Sequence, residues 1–190
     1  MKEVLTEWRK YLKEVKQIDA KIMSQIDRAE EMGLKVKILP SVVIISHPKS
    51  SDVVASVSWD NDGIFGDCLG AAYVTGAQAE HGMGPLAYDI AIEKTGGLMA
   101  DRTEVSDEAE KVWWHYTTKR MDVYVDQLDI SKDHGLRQLT PKEPKDDCDQ
   151  IPAVQKYGNT GDWWSNGLTQ KISKTGTPVI DELEKRGMLL

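Results

Sequence analysis

The stretch from Gly70 to Glu93 constrains the fold more than any other part of the chain. Leu69 to Thr75 reads as a strand that continues the sheet, Gly82-Met83-Gly84 as a turn, and Pro85-Leu86 as the opening of a helix. Proline suits a first helical turn, because its fixed φ matches the helix and its missing N–H would have no intrahelical partner there. Gly82 and Gly84 let the backbone come close to another group. The first amides of the helix then point outward with the positive end of the dipole behind them. Such a turn suits an anion, most often a phosphate; the same glycines also serve a plain tightening of a strand-to-helix connection.

Upstream, Val4, Leu5, Trp8, Tyr11, Leu12, Val15, Ile18, Ile22, Ile26 and Ala29 recur at three- and four-residue steps. This spacing predicts a long amphipathic helix ending at Gly33, packed on its own domain or used by an oligomer or partner. After Gly33 the period changes. Leu34–Leu39, Ser41–Ser46 and Val53–Trp59 alternate or are continuously apolar, and Pro40, His47–Ser51 and Asp60–Gly63 supply turn chemistry between them, so an antiparallel meander is expected. Leu98-Met99-Ala100 reads as a short buried strand, Ser106 as the cap of a further helix, and Met121–Val125 as one more strand. Beyond Asp126 the texture becomes irregular, with Trp163 and Trp164 expected to pack on the domain and a last helix over Pro178–Arg186. The organisation expected is an amphipathic helix over 1–33, an α/β core over 34–126 and an irregular C-terminal extension over 127–190 that packs on the core.

Charge narrows the partners. With 31 acidic and 24 basic residues the net charge is −7, which argues against a nucleic-acid surface built on phosphate neutralisation. It favours a cationic small-molecule or protein amine as partner. No apolar run approaches the roughly 20 residues needed to span a bilayer, so no membrane association and a cytoplasmic location are expected. Cys68 and Cys148 are far apart, and with His47, His81, His115 and His134 they offer no local ligand pair, so no metal site is expected.

Helix, antiparallel strands, glycine turn, helix, short strand, capped helix, strand: this order resembles the GNAT superfamily of acyl-CoA-dependent N-acyltransferases. The resemblance covers roughly residues 34–125 and rests on three pieces: Tyr73-Val74 leading into Gly82-Met83-Gly84, the strand Leu98-Met99-Ala100, and the Ser106-x-x-Ala109-x-x-x-Trp113 helix. It implies a mixed, mainly antiparallel central sheet flanked by helices, with acetyl-CoA or another acyl-CoA as acyl donor. The cofactor pyrophosphate would lie on the turn at His81, Gly82, Met83 and Gly84. The short strand would splay from its neighbour to admit the pantetheine arm, and the thioester carbonyl would lie against amides near Val74 and Thr75. The chain departs from the family in three places. Ala79 stands where Arg or Gln is common, Glu80 lies beside the pyrophosphate position, and Trp113 falls where the family has its general-acid tyrosine, with Tyr116 one helical turn further on. A second similarity is to uncharacterised proteins of tailed bacteriophages. It rests on Met83-Gly84-Pro85-Leu86 through Asp101-Arg102, the Ser106 helix, Asp146-Asp147-Cys148 and Glu7–Leu12, and would place the chain in host cytoplasm or virion.

Amine acylation needs a proton acceptor and a polarised carbonyl. Asp67, Asp101 and His81 are the candidate bases and Tyr116 the candidate acid, each with an ordinary structural alternative as turn, cap or core residue. Two functions are therefore expected from the sequence: an N-acyltransferase acting on an amine acceptor, or a catalytically inactive GNAT-like fold. The second would be a structural or interaction protein, for instance of a bacteriophage particle, associating with itself or with a virion partner through the N-terminal helix.

Overall fold

The structure, a computed structural model, describes residues 18–50, 52–61, 72–130, 147–148, 155–156 and 167–190. Helix α1 spans Ala20–Glu31 and buries Ile22, Ile26 and Ala29. Asp19, with φ −53° and ψ 138°, stands outside it, and its carboxylate accepts from the amides of Lys21 at 2.9 Å and Ile22 at 3.3 Å. The expected helix therefore does not run unbroken from Val4 to Ala29: the Asp19 cap starts it at Ala20, and residues 1–17 lie outside the described part. Gly33, at φ +67°, ends α1 as expected, with the Leu34 amide donating to the Ala29 carbonyl.

Strands β1 (Lys35–Ile38), β2 (Val42–Ser46), β3 (Val53–Asp60) and β4 (Ala72–Ala79) form an antiparallel meander. Val36, Val43, Ile45, Ala55 and Val57 alternate inward along the first three, as period two requires. Helix α2 (Gly84–Thr95) follows, and β5 (Leu98–Met99) pairs parallel with β4. Helix α3 (Asp107–Lys119) is capped by the Ser106 hydroxyl, which accepts from the Ala109 amide at 3.2 Å. Then come β6 (Tyr124–Gln127), β7 (Asp129–Ile130), β8 (Asp147–Cys148), β9 (Gln170–Ser173) and helix α4 (Pro178–Lys185). The main sheet is mixed, mostly antiparallel and seven-stranded, in the order β1-β2-β3-β4-β5-β9-β6, while β7 and β8 pair separately. The chain is thus an α/β fold.

The core does not end at residue 126. Strand β9 lies inside the sheet, antiparallel to both β5 and β6, with Ile172 fully buried opposite Leu98 and Val125. Residues 188–190 also return to the first strand: the Val36 amide donates to the Met188 carbonyl and the Leu190 amide to the Val36 carbonyl, both at 2.9 Å, covering that sheet edge.

Helix α2 is buried all round. Residues Leu86 to Glu93 are all inaccessible or nearly so, Asp89 and Glu93 among them, and two carboxylates taken from water need partners. Asp89 receives Arg120 at 3.1 and 2.9 Å, Lys174 at 3.2 Å and the Tyr116 hydroxyl. Glu93 receives Lys174 at 2.7 Å and, at 2.9–3.0 Å, the amides of Val179 and Ile180. It thereby caps α4, whose own Thr177 side chain makes no capping bond. Asp122 completes the group through two bonds from Arg120, at 2.7 and 2.6 Å.

Asp122 makes this network pH-dependent in a defined sense. Burial pushes its pKa up, but the bonds from Arg120 and the charges of Arg120 and Lys174 outweigh burial and hold it below the ordinary 3.8. The unfolded chain then binds the proton more readily, so the stabilisation is present above the unfolded value and lost as pH falls through the folded one. Glu93 shifts the other way, burial outweighing Lys174 and the α4 amides, and its contribution is common to wild type and an Asp122 variant. The wild-type advantage over Asp122→Asn in urea unfolding is therefore expected to be constant from pH 7 to about 5 and to shrink below about pH 4. A difference independent of pH would contradict this.

Candidate active-site cleft

Strands β4 and β5 pair only at Ala72–Leu98 and Tyr73–Met99. The chain then turns away at Asp101, whose Oδ1 accepts from the Thr103 amide at 2.8 Å, the Thr103 hydroxyl at 2.9 Å and the Glu104 amide at 3.1 Å. An aspartate-built turn of this kind reverses a chain locally. Here it leads β5 directly to the Ser106 cap of α3, so β4 continues without a β5 partner from Val74 onward.

The opposite side of β4 is irregular at the same level. Ser58 faces Gly76 while Trp59 faces Val74, which leaves Thr75 as the extra residue of a β-bulge. The Thr75 hydroxyl donates to Ser58 Oγ at 3.2 Å, and that hydroxyl donates to the Gly76 carbonyl at 3.2 Å. Between the parted strands lies a cleft of about 220 Å³. Val74, Gly76 and Ala77 line it from β4, Asp101, Glu104 and Val105 from the turn, Ser106, Ala109 and Trp113 from α3 and its cap, and Tyr88 from α2.

Tyr88 is 5% exposed, with its ring edge-on to Trp113 at 6.1 Å and 80°. Among the described residues its hydroxyl has no hydrogen-bond partner. Burial first, and then the Asp101 charge, push its pKa up to about 12, so it is a neutral O–H donor at any physiological pH.

β4 ends at the glycine turn. His81 at φ +53° and Gly82 at φ +72° are successive left-handed residues. The Met83 amide donates to the Glu80 carbonyl at 3.0 Å and the Ala87 amide to the Met83 carbonyl at 3.1 Å, while among the described residues the amides of Gly82 and Gly84 donate to no other backbone group. From α1, Gln25 donates to the Gly82 carbonyl and ties the turn to the first helix. Space favours glycine at position 84: a Cβ there would stand 3.2 Å from Ala79 Cβ, closer than ordinary contact, so β4 or the turn would have to give by a few tenths of an ångström. His81 is the strained member, since a side chain at positive φ costs about 1–2 kcal/mol, partly offset by the greater chain entropy that glycine loses. His81→Gly is expected to stabilise the fold by about 0.5–1 kcal/mol in denaturant titration, and a loss of stability would show that the imidazole makes a compensating contact.

Of the residues singled out in the sequence, Val74 and Asp101 line the cleft, Thr75 sits at the bulge, and His81, Gly82, Met83 and Gly84 form the entrance to α2. The Met83 side chain is fully buried, so its part in the turn is backbone and packing. His81 is half exposed, with Nε2 3.9 Å from the Glu80 carboxylate. Asp67, Cys68, Trp163 and Trp164 lie outside the described residues. Tyr116 points away from the cleft into the buried charge network, donating to the Asp89 carboxylate and in reach of the Pro85 carbonyl at 3.0 Å. Burial and then Asp89 raise its pKa well above the ordinary tyrosine value. Tyr88 and Glu104 were not foreseen as cleft residues, nor was the carboxylate pair Asp89 and Glu93. The one available signal was two carboxylates four residues apart on a helix otherwise rich in Leu, Ile and Ala.

No family model, curated protein or solved structure matches the chain.

Proposed function

We propose that this chain is a GNAT-like N-acyltransferase that moves an acyl group from an acyl-CoA to an amine. The observation that carries the reading is the parting of β4 from β5 into a cleft that leads, along β4, to a glycine turn with undonated amides at the start of a buried helix. Gly82 and Gly84 with the α2 dipole would hold the diphosphate. Glu80 opposes this, but its side chain is 75% exposed, and a solvated carboxylate about 6 Å from a unit charge repels it by only about 0.7 kcal/mol. Hydrogen bonds to an ionised group contribute about 1.5–3 kcal/mol each, so the donor set fits an anion.

The bound donor supplies an activated acyl carbonyl. Amides at the Val74–Thr75 bulge would polarise it, and the Asp101 carboxylate would take the proton from the attacking amine. Asp101 suits that task because its turn engages Oδ1 and fixes the side chain in place.

Incubation with acetyl-CoA and a panel of ethanolamine, spermidine and a lysine-bearing peptide, with thiol release followed by a chromogenic disulfide, tests the reading. Amine-dependent thiol release is expected; none with any acceptor would count against it. A second reading keeps the fold and drops the chemistry. It draws on Trp114, 56% exposed on α3 with Lys119 Nζ 5.1 Å from its ring centre, as a contact surface for another protein. Amine-dependent turnover would remove the need for it.

A further inference from the structure

We infer that the Asp101 and Glu104 carboxylates and the Tyr88 hydroxyl hold a primary ammonium group carried on a short apolar stem, an inference that rests on the acyl-transfer reading above only in calling that guest the acceptor. The cleft sets two carboxylates among apolar walls: Val74, Ala77, Val105 and Ala109 line it beside Asp101 and Glu104, and no Lys, Arg or His is among the residues that form it. The Glu104 amide donates to Asp101 Oδ1 at 3.1 Å, so the two acids are neighbours in space as well as in sequence. Like charges this close repel, and a cation between them removes the cost.

Two acids alone would be an ordinary solvated turn. The second observation is Tyr88, 5% exposed on the wall of the same cleft, with no partner for its hydroxyl among the described residues. Buried hydroxyls are almost always bonded, so one left open on a cleft wall marks the place of a guest. After burial, the Asp101 charge is the next cause of the raised tyrosine pKa, so carboxylate and hydroxyl face one space.

The acceptors match an ammonium in number. Oδ1 of Asp101 is taken by Thr103 and Glu104, which leaves Oδ2, and the Glu104 carboxylate accepts no bond among the described residues. With the Tyr88 oxygen they make three acceptors for the three N–H donors of a primary ammonium. Ser106 adds little, because its hydroxyl already accepts from the Ala109 amide as the cap of α3. A quaternary ammonium has no N–H to offer and relies on open ring faces. Here the Tyr88 and Trp113 rings meet edge to face at 80° and occupy each other.

NMR titration of the full chain with n-butylammonium, 1-butanol and butyltrimethylammonium, which share one stem, tests the site. Wild type should bind n-butylammonium at least about tenfold more tightly than the other two, with shifts at Val74, Ala77 and Val105. Glu104→Gln alters an exposed side chain and should weaken n-butylammonium about threefold to tenfold while leaving 1-butanol unchanged; Tyr88→Phe should weaken it about threefold. Asp52→Asn, at an exposed acid outside the cleft lining, should change nothing, which removes net charge as the cause. Equal affinity of wild type for n-butylammonium and 1-butanol, or the same response to Asp52→Asn as to Glu104→Gln, would overturn the ammonium site, and amine-dependent thiol release would still leave acyl transfer standing. The expected binding pattern without thiol release from acetyl-CoA would strike the acyl-transfer reading and keep the ammonium site.

Discussion

Replacing Asp89 by alanine is expected to cost about 3–5 kcal/mol of stability, the range seen when one partner is removed from a buried ion pair. Asp89 is fully inaccessible and receives Arg120, Lys174 and Tyr116, all of them buried. Truncation leaves Arg120 and Lys174 in the interior with two carboxylates, Asp122 and Glu93, and takes bonds from both cations at once. Asp89→Asn, which keeps an acceptor but loses the charge, should cost less. Urea unfolding of both variants measures the difference; a cost for Asp89→Ala below about 1 kcal/mol would mean that water or a rearranged Asp122 fills the place. The network is not by itself a gain in stability, since buried ion pairs often do no better than well-packed apolar groups. Its consequence is positional: it fixes the rotation of α2, and residue 88, next to Asp89, is thereby aimed at the cleft.

Asp101→Asn is expected to lower kcat for amine acylation by about 10²–10⁴-fold, the span typical of a lost general base, with KM for acetyl-CoA little changed. The substitution is selective because the amide oxygen of asparagine can still accept from Thr103 and Glu104 and so keep the turn that parts β5 from β4. Thermal melts of the two proteins should agree within a few degrees. A variant with full activity would move the base elsewhere, to Asp67 or His81. A variant that loses activity and fold together would show that the charge serves the turn.

The sequence made the meander legible because Val36, Val43, Ile45 and Val57 keep period two through segments bounded by turn residues. The glycine turn and the Ser106 cap were legible because their chemistry is local: a cap bonds three residues on and a proline states its φ. Strand β9 was not, since Gln170-Lys171-Ile172-Ser173 carries a single apolar residue, and what inserts it between β5 and β6 is ladder bonding to segments 45 and 72 residues away in the chain. The break at Asp19 was passed over because the apolar rows on either side stay in phase, although an aspartate ahead of such a row is itself a start signal. Which tyrosine lines the cleft was illegible for a similar reason. Tyr116 has the spacing of an inward residue on α3, and its direction is right, yet only the tertiary fold decides that inward there means the charge network, and that Tyr88 on the neighbouring helix is the one that meets the cleft.

The most direct test of the cleft is unfolding free energy and amide hydrogen exchange with and without acetyl-CoA. At about a hundred times its dissociation constant a ligand stabilises the native state by about 2.7 kcal/mol. That rise is expected together with new protection at Gly82, Gly84 and the Val74–Ala77 stretch of β4. No change in stability at millimolar acetyl-CoA, or protection confined to surfaces away from β4 and α2, would contradict the assignment.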